Sequence, residues 1–193
     1  MKKYKKPTNR DIVLRVATDL FLTKGYLATS MDEIVVESKV SKTNIYYHFK
    51  SKDELLSAIV ETLVQTYTGM IHDVISRKNL TVQERITTLL HLLTRQELEC
   101  LGGCPFLTLY SQMPQDAHLL REKISRFFRD QVDLLEALLT EGIRSRQIST
   151  QLPARSTAEF IVSAVEGGLI LQHVSQDPNV LEHTLQFLAF LLK

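Results

Sequence analysis

Two cysteines among 193 residues, Cys100 and Cys104, cannot build a disulfide framework, and their spacing matches no four-ligand zinc site. Reduced thiols are expected. Long apolar runs are missing too: Phe187 to Leu192 is among the longest, far short of the roughly 18 residues that a membrane span needs. The start, Lys2-Lys3-Tyr4-Lys5-Lys6, is basic, but polar Pro7-Thr8-Asn9-Arg10-Asp11 follows where a secretory signal would place apolar residues, so a cytoplasmic protein is expected. No stretch alternates apolar and polar residues as a half-buried strand does, and no internal repeat or low-complexity linker occurs. The histidines His48, His72, His91, His118, His173 and His183 form no HxxxH or HExxH pair, and there is neither a glycine-rich phosphate loop nor a Gly-x-Ser-x-Gly elbow. Nothing nominates a catalytic set, a metal site or a cofactor site, so a non-enzymatic protein is expected.

An excess of one charge is also lacking, but the net +1 hides an asymmetry. Residues 1–52 carry eleven Lys and Arg against five Asp and Glu, whereas residues 53–193 carry twelve against seventeen. A basic module that neutralises phosphates, followed by a slightly acidic body, is one reading; a solvated basic tail is the other.

Helix signals recur along the whole chain. Ser30 with Glu33, Ser51 with Glu54, Thr81 with Glu84 and Ser156 with Glu159 read as capping boxes that start helices. The expected helices run over about 9–24 (ending at Gly25 in a left-handed position), 31–38, 42–49, 52–77, 82–99, 105–112, 116–147 and 156–174, with a last one opened by Asp177-Pro178. This predicts an all-α fold of about nine helices, with a unit over residues 1–52 and a larger one over 53–193.

From Ser30 to Phe49 the order is capped short helix, tight break at Ser38-Lys39-Val40, and second capped helix, the spacing of a helix-turn-helix. On the second helix Ile45 and Phe49 define the buried side. Thr43 and Tyr47 then point outward, Asn44 and Tyr46 flank them, and Lys42, Lys50 and Lys52 supply positive charge. Such groups can reach base edges and phosphates of double-stranded DNA.

Three stretches carry a resemblance: Ala17-Thr18-Asp19-Leu20-Phe21 with Lys24-Gly25-Tyr26; Thr29-Ser30-Met31-Asp32-Glu33-Ile34; and Val40 through Leu56. Together they closely resemble the N-terminal domain of the tetracycline-repressor (TetR) family. The resemblance implies a dimeric, ligand-responsive transcription regulator, usually a repressor that binds a palindromic operator. It implies DNA contacts at Thr29 and Ser30, at Lys42, Thr43, Asn44, Tyr46 and His48 on the recognition helix, and at Lys52. One position departs from the family pattern, because Lys39 stands where a small residue, commonly Gly, is usual.

In the larger unit, Tyr67, Met70, Cys104, Phe106, Tyr110, Met113, Phe127 and Phe128 are candidates for a pocket that takes a small hydrophobic effector, with ordinary core as the plainer reading. The resemblance places a homodimer interface on the last two helices. There Ile161, Ala164, Val165, Gly167, Gly168, Leu169, Leu171, Leu185, Phe187, Leu188 and Leu191 supply small or apolar residues, although packing within one subunit explains them equally well. Cys104 precedes Pro105 at a helix start, where the dipole lowers a thiol pKa. It also resembles a cysteine through which some family members sense oxidants or electrophiles, although no lysine lies between Lys123 and Lys193 to assist it. A helical protein-interaction adaptor is the rival from another class.

Overall fold

The computed structural model describes residues 6–94, 100, 102–148 and 153–192. Among them are nine α-helices and no strand: α1 (Asn9–Leu20), α2 (Met31–Ser38), α3 (Lys42–His48), α4 (Lys52–Ser76), α5 (Val82–Thr94), α6 (Pro105–Gln112), α7 (His118–Arg144), α8 (Ala154–Ser175) and α9 (Asn179–Leu191). The all-α expectation holds. The basic residues Lys2, Lys3 and Lys5 and the expected end of α5 near Glu99 lie outside the described residues.

The helix starts follow local chemistry. Thr8 accepts from Asp11 N at 3.2 Å while Asp11 Oδ2 accepts from Thr8 N at 2.9 Å, a reciprocal capping box that fixes α1. Thr81 and Glu84 do the same for α5, and Ser30, Ser41 and Ser51 each accept from the backbone N–H three residues on. Each cap contributes about 1 kcal/mol, which matters most for the short helices α2 and α3.

Ser156 does not cap α8. The helix starts two residues earlier after Pro153, whose φ of −59° already suits a helix entry. Glu159 is taken by Arg155 Nε at 2.8 Å and so cannot reach back to close a box. The end of α1 also differs, because Phe21–Gly25 widens into a π-helical turn. The turn lets both Phe21 and Leu22 be buried, and it ends at Gly25 with φ +105°.

Helices α1 to α3 close around Val13, Ala17, Phe21, Ile34, Val40, Ile45 and Phe49, and the first turns of α4 add Leu55 and Leu56 to the same core. In the body, α7 packs along α8 and α8 along α9, while α4 and α5 lie against α7. Arg85 on α5 is buried and holds Glu141 of α7 in an ion pair. The guanidinium keeps the Glu141 carboxyl below the usual range, chiefly through the hydrogen bond.

Candidate nucleic-acid interface and the body behind it

The recognition face is built by α3. Ile45 and Phe49 are buried, which anchors the helix by roughly 1.5–3 kcal/mol per side chain. Thr43 is exposed and Tyr47 is 74% exposed, as the wheel requires. Tyr46 and His48 are half-buried on the flanks, and the His48 ring meets Tyr47 edge-on at 5.0 Å. Asn44 is half-buried too, with Oδ1 enclosed and without a hydrogen-bond partner. Lys42 is exposed and pairs with Asp32 at 2.7 Å, which raises its pKa. Lys50 donates to the carbonyls of Tyr46 and Tyr47 at 3.1 and 3.4 Å, closing the last turn. Lys39, exposed at the end of α2, takes the left-handed conformation with φ 56° and ψ 21°, so the turn keeps the geometry that Gly would adopt without strain.

Two expected DNA contacts face inward instead. Thr29 is 1% exposed, and its hydroxyl donates to Gly25 O at 2.8 Å. Lys52 Nζ donates to Tyr26 O at 2.9 Å and to Thr29 O at 3.0 Å, and it sits 4.3 Å from the Tyr26 ring centre. The carbonyls that follow the π-helical turn, together with the face of the Tyr26 ring, hold this ammonium inward. Ser30 remains exposed, though its oxygen serves as the α2 cap.

Lys52 is one part of a junction centred on Tyr26. The Tyr26 phenol donates to Asp53 Oδ1 at 2.5 Å, and its backbone N–H donates to Gln112 Oε1, at the end of α6, at 2.7 Å. Burial, with the Asp53 carboxylate beside it, pushes the phenol well above its ordinary pKa. One residue thereby ties together α1, α4 and α6. The sequence reading did not single out Gln112, and a lone Gln at a helix end carries no local signal.

Of the pocket candidates, Tyr67, Phe106 and Phe127 meet as an aromatic cluster. Phe106 stacks on Phe127 at 4.2 Å and receives Tyr67 edge-on at 5.2 Å, and Phe128 packs 6.2 Å from Phe106. With Cys104, the rings of Tyr67, Phe106 and Phe127 line a void of only about 20 Å³, whose wall also includes Gln131 and Glu166 but not Phe128. Tyr110 and Met113 line neither this void nor the cleft beside Met70. Tyr110 lies under the Arg121 guanidinium at 4.8 Å, and Met113 is buried. Met70 lies instead beside Tyr67 on a cleft of about 1140 Å³ between α1, α4 and α5, walled by Arg15, Thr18, Thr62 and Thr66 among others.

Cys104 departs from the expected activated thiol. It stands at the start of α6 but is 3% exposed, and burial together with the neighbouring Glu166 pushes its pKa well up rather than down. Desolvation outweighs the helix dipole here.

Glu166 and Gln131 were missed by the sequence reading, although a signal existed. Gln131 interrupts the α7 stripe of Ile124, Phe127, Leu135 and Leu138, and Glu166 lies between Val165 and Leu169 on α8. A polar residue at a core position of an amphipathic helix is informative.

On α8 and α9, Ile161, Val165, Gly168, Leu169 and Leu188 are buried within the chain, and Gly168 meets Leu181 and Thr184 of α9. Ala164, Leu185 and Leu191 are half-buried. A second apolar stripe faces outward. It comprises exposed Phe160, Leu171 and Val174 of α8 with Phe187 and Phe190 of α9, and the Cα of Gly167 opens on the same side of α8 with no neighbouring atom within 4 Å of an added Cβ.

The family model for bacterial regulatory proteins of the tetR family matches residues 13–59, and that for the tetracyclin repressor-like C-terminal domain matches residues 82–188. The chain is 26% identical over 195 residues to an uncharacterized HTH-type transcriptional regulator in the lacX 3′ region of Lactococcus lactis subsp. lactis, covering 97% of this chain and 95% of the relative. It is 49% identical over 51 residues to the HTH-type transcriptional regulator QacR of Staphylococcus aureus, 26% of this chain and 27% of that one. The crystal structure of a TetR transcriptional regulator from Legionella pneumophila superposes with a TM-score of 0.80 at 25% identity, covering 98% of this chain and all of the other.

Proposed function

The chain belongs to the tetR family of bacterial regulatory proteins, and from that membership we propose that it is a repressor that binds a palindromic operator as a homodimer and leaves it when a small hydrophobic effector binds. Members of the family are DNA-binding transcriptional regulators rather than enzymes. The observation that carries the reading is the recognition face of α3, where Thr43 and Tyr47 stand free of the core while Ile45 and Phe49 hold the helix behind them. Residues 1–52 then form the DNA-binding unit. Base reading falls to Thr43, Asn44 and Tyr47, flanked by Tyr46 and His48, and phosphate contact to Ser30, Lys39, Lys42 and Lys50. Lys52 and Thr29 act from behind, by shaping the junction at Tyr26.

The outward stripe of α8 and α9 supports the dimer. Such an apolar face on one chain suits burial against a second copy, which sets two α3 helices to read half-sites about 34–36 Å apart. The coupling runs through α4 and α6, both of which end at Tyr26. It need supply only about 1–3 kcal/mol to release operator. A DNA-bound regulator of this kind works in the cytoplasm.

The test is an operator gel shift across salt concentrations. Tyr47→Ala should lose roughly 1–3 kcal/mol of specific affinity while keeping its affinity for random DNA. Equal losses on both DNAs would remove Tyr47 from base reading, and no salt-dependent binding by the wild type would favour the protein adaptor instead.

A further inference from the structure

Behind the aromatic cluster, α7 and α8 each bring a polar side chain, Gln131 and Glu166, to the wall of the same small void. Glu166 Oε2 is enclosed and makes no hydrogen bond among the described residues. The carboxyl's neighbour in the wall is the buried Cys104 thiol, with which it shares a hydrogen bond. Gln131 is 7% exposed and lines the same void. An unsatisfied buried polar group typically costs about 1–3 kcal/mol, so a ligand that donates to Glu166 Oε2 would remove a cost that the empty void carries.

The wall identifies the chemistry of that something. It contains no Lys, Arg or His among the described residues, so an anionic ligand would meet the carboxyl with no compensating charge. The rings of Tyr67, Phe106 and Phe127 present electron-rich faces, which attract a desolvated cation and pack against apolar carbon. A carboxylate, an amide oxygen and aromatic faces together match a group that carries positive charge and donates hydrogen bonds. We propose that Glu166, Gln131 and the rings of Tyr67, Phe106 and Phe127 form the recognition end of the effector site and select a lipophilic amine. The ammonium sits on the Glu166 carboxylate and Gln131 oxygen, and the apolar body lies between the rings. This rests on the effector-responsive reading given above.

A void of about 20 Å³ has room for little more than one water, so the amine enters by parting the rings. Phe106 is the second residue of α6, and the last residue of that helix, Gln112, holds the Tyr26 N–H. Parting the rings therefore displaces the helix whose far end touches the DNA-binding unit.

Three probes with one tail separate the possibilities: 4-phenylbutylamine, 4-phenylbutanol and 4-phenylbutyrate. Calorimetric titration of the full chain should show the amine binding about tenfold or more tighter than the alcohol, with the acid weakest. In Glu166→Gln, an isosteric change that keeps the fold, amine and alcohol should bind alike; Gln131→Leu should reduce the amine preference about threefold. Equal binding of amine and alcohol by the wild type, or a preference that survives Glu166→Gln, overturns the proposal, as does binding of none of the three. Operator anisotropy separates this outcome from the broader reading. Release by the alcohol without amine preference sinks the site but keeps ligand response, whereas Glu166-dependent amine binding that never releases operator keeps the site and sinks the response.

Discussion

Lys39 is held in a conformation that costs an L-residue with a Cβ about 1 kcal/mol, and it does so on the exposed rim of the recognition face. On the DNA-contact role proposed above for Lys39, its positive charge is a reason to tolerate that cost. Lys39→Gly should therefore raise thermal stability by about 0.5–1 kcal/mol in a denaturant melt while lowering affinity for all DNA sequences alike and flattening the salt dependence. The sequence marked this position as odd. It could not show that the turn geometry survives and the side chain bears the strain. The inward placement of Lys52 and Thr29 has a related reason: a resemblance assigns roles by position, whereas the carbonyls of Tyr26 and Thr29, just after the π-helical turn at Phe21–Gly25, decide where the Lys52 ammonium points.

Among the elements, α6 is short, eight residues from Pro105 to Gln112, yet it spans from the aromatic cluster to the DNA-binding unit. Its grip on Tyr26 is a single hydrogen bond from a partly buried amide. Gln112→Ala should leave that N–H without its partner, at a cost of roughly 1 kcal/mol, and hydrogen exchange should speed up at Tyr26 while the amides of α7 stay protected. Unchanged exchange at Tyr26 would mean that α6 does not hold the junction. Helices were legible because capping chemistry is local: Ser30, Ser41, Ser51 and Thr81 each act within three residues. Ser156 misled because the competitor for Glu159, Arg155, was already engaged with Asp133 and Glu136 of α7, and such long-range claims leave no local trace. The chamber around Glu166 was half legible, its aromatic wall by residue type and its polar floor only as two interruptions in apolar stripes.

For the whole molecule, the outward stripe on α8 and α9 is the feature that a single chain leaves unsatisfied. Phe187→Glu places a charge at its centre without touching the buried core, so the folded chain should persist as a monomer in light scattering at micromolar concentration, and operator affinity should fall with it. A dimer that survives the charge would move the interface elsewhere.

The entry to α6 bears on how many effectors such a pair would need. Gly103, with φ +75°, lies so close to the α8 backbone that a Cβ there would stand 2.4 Å from the Leu169 carbonyl oxygen. The segment that leads into α6 is thus set against the α8 backbone at Leu169, with no side chain of Gly103 between them. The other side of that same α8 segment carries Leu171 and Val174 of the outward stripe, so on the homodimer reading proposed above one helix serves both the effector chamber and the dimer face. Occupancy is then expected to be a property of the pair, and titration of the intact protein should depart from a single-site curve.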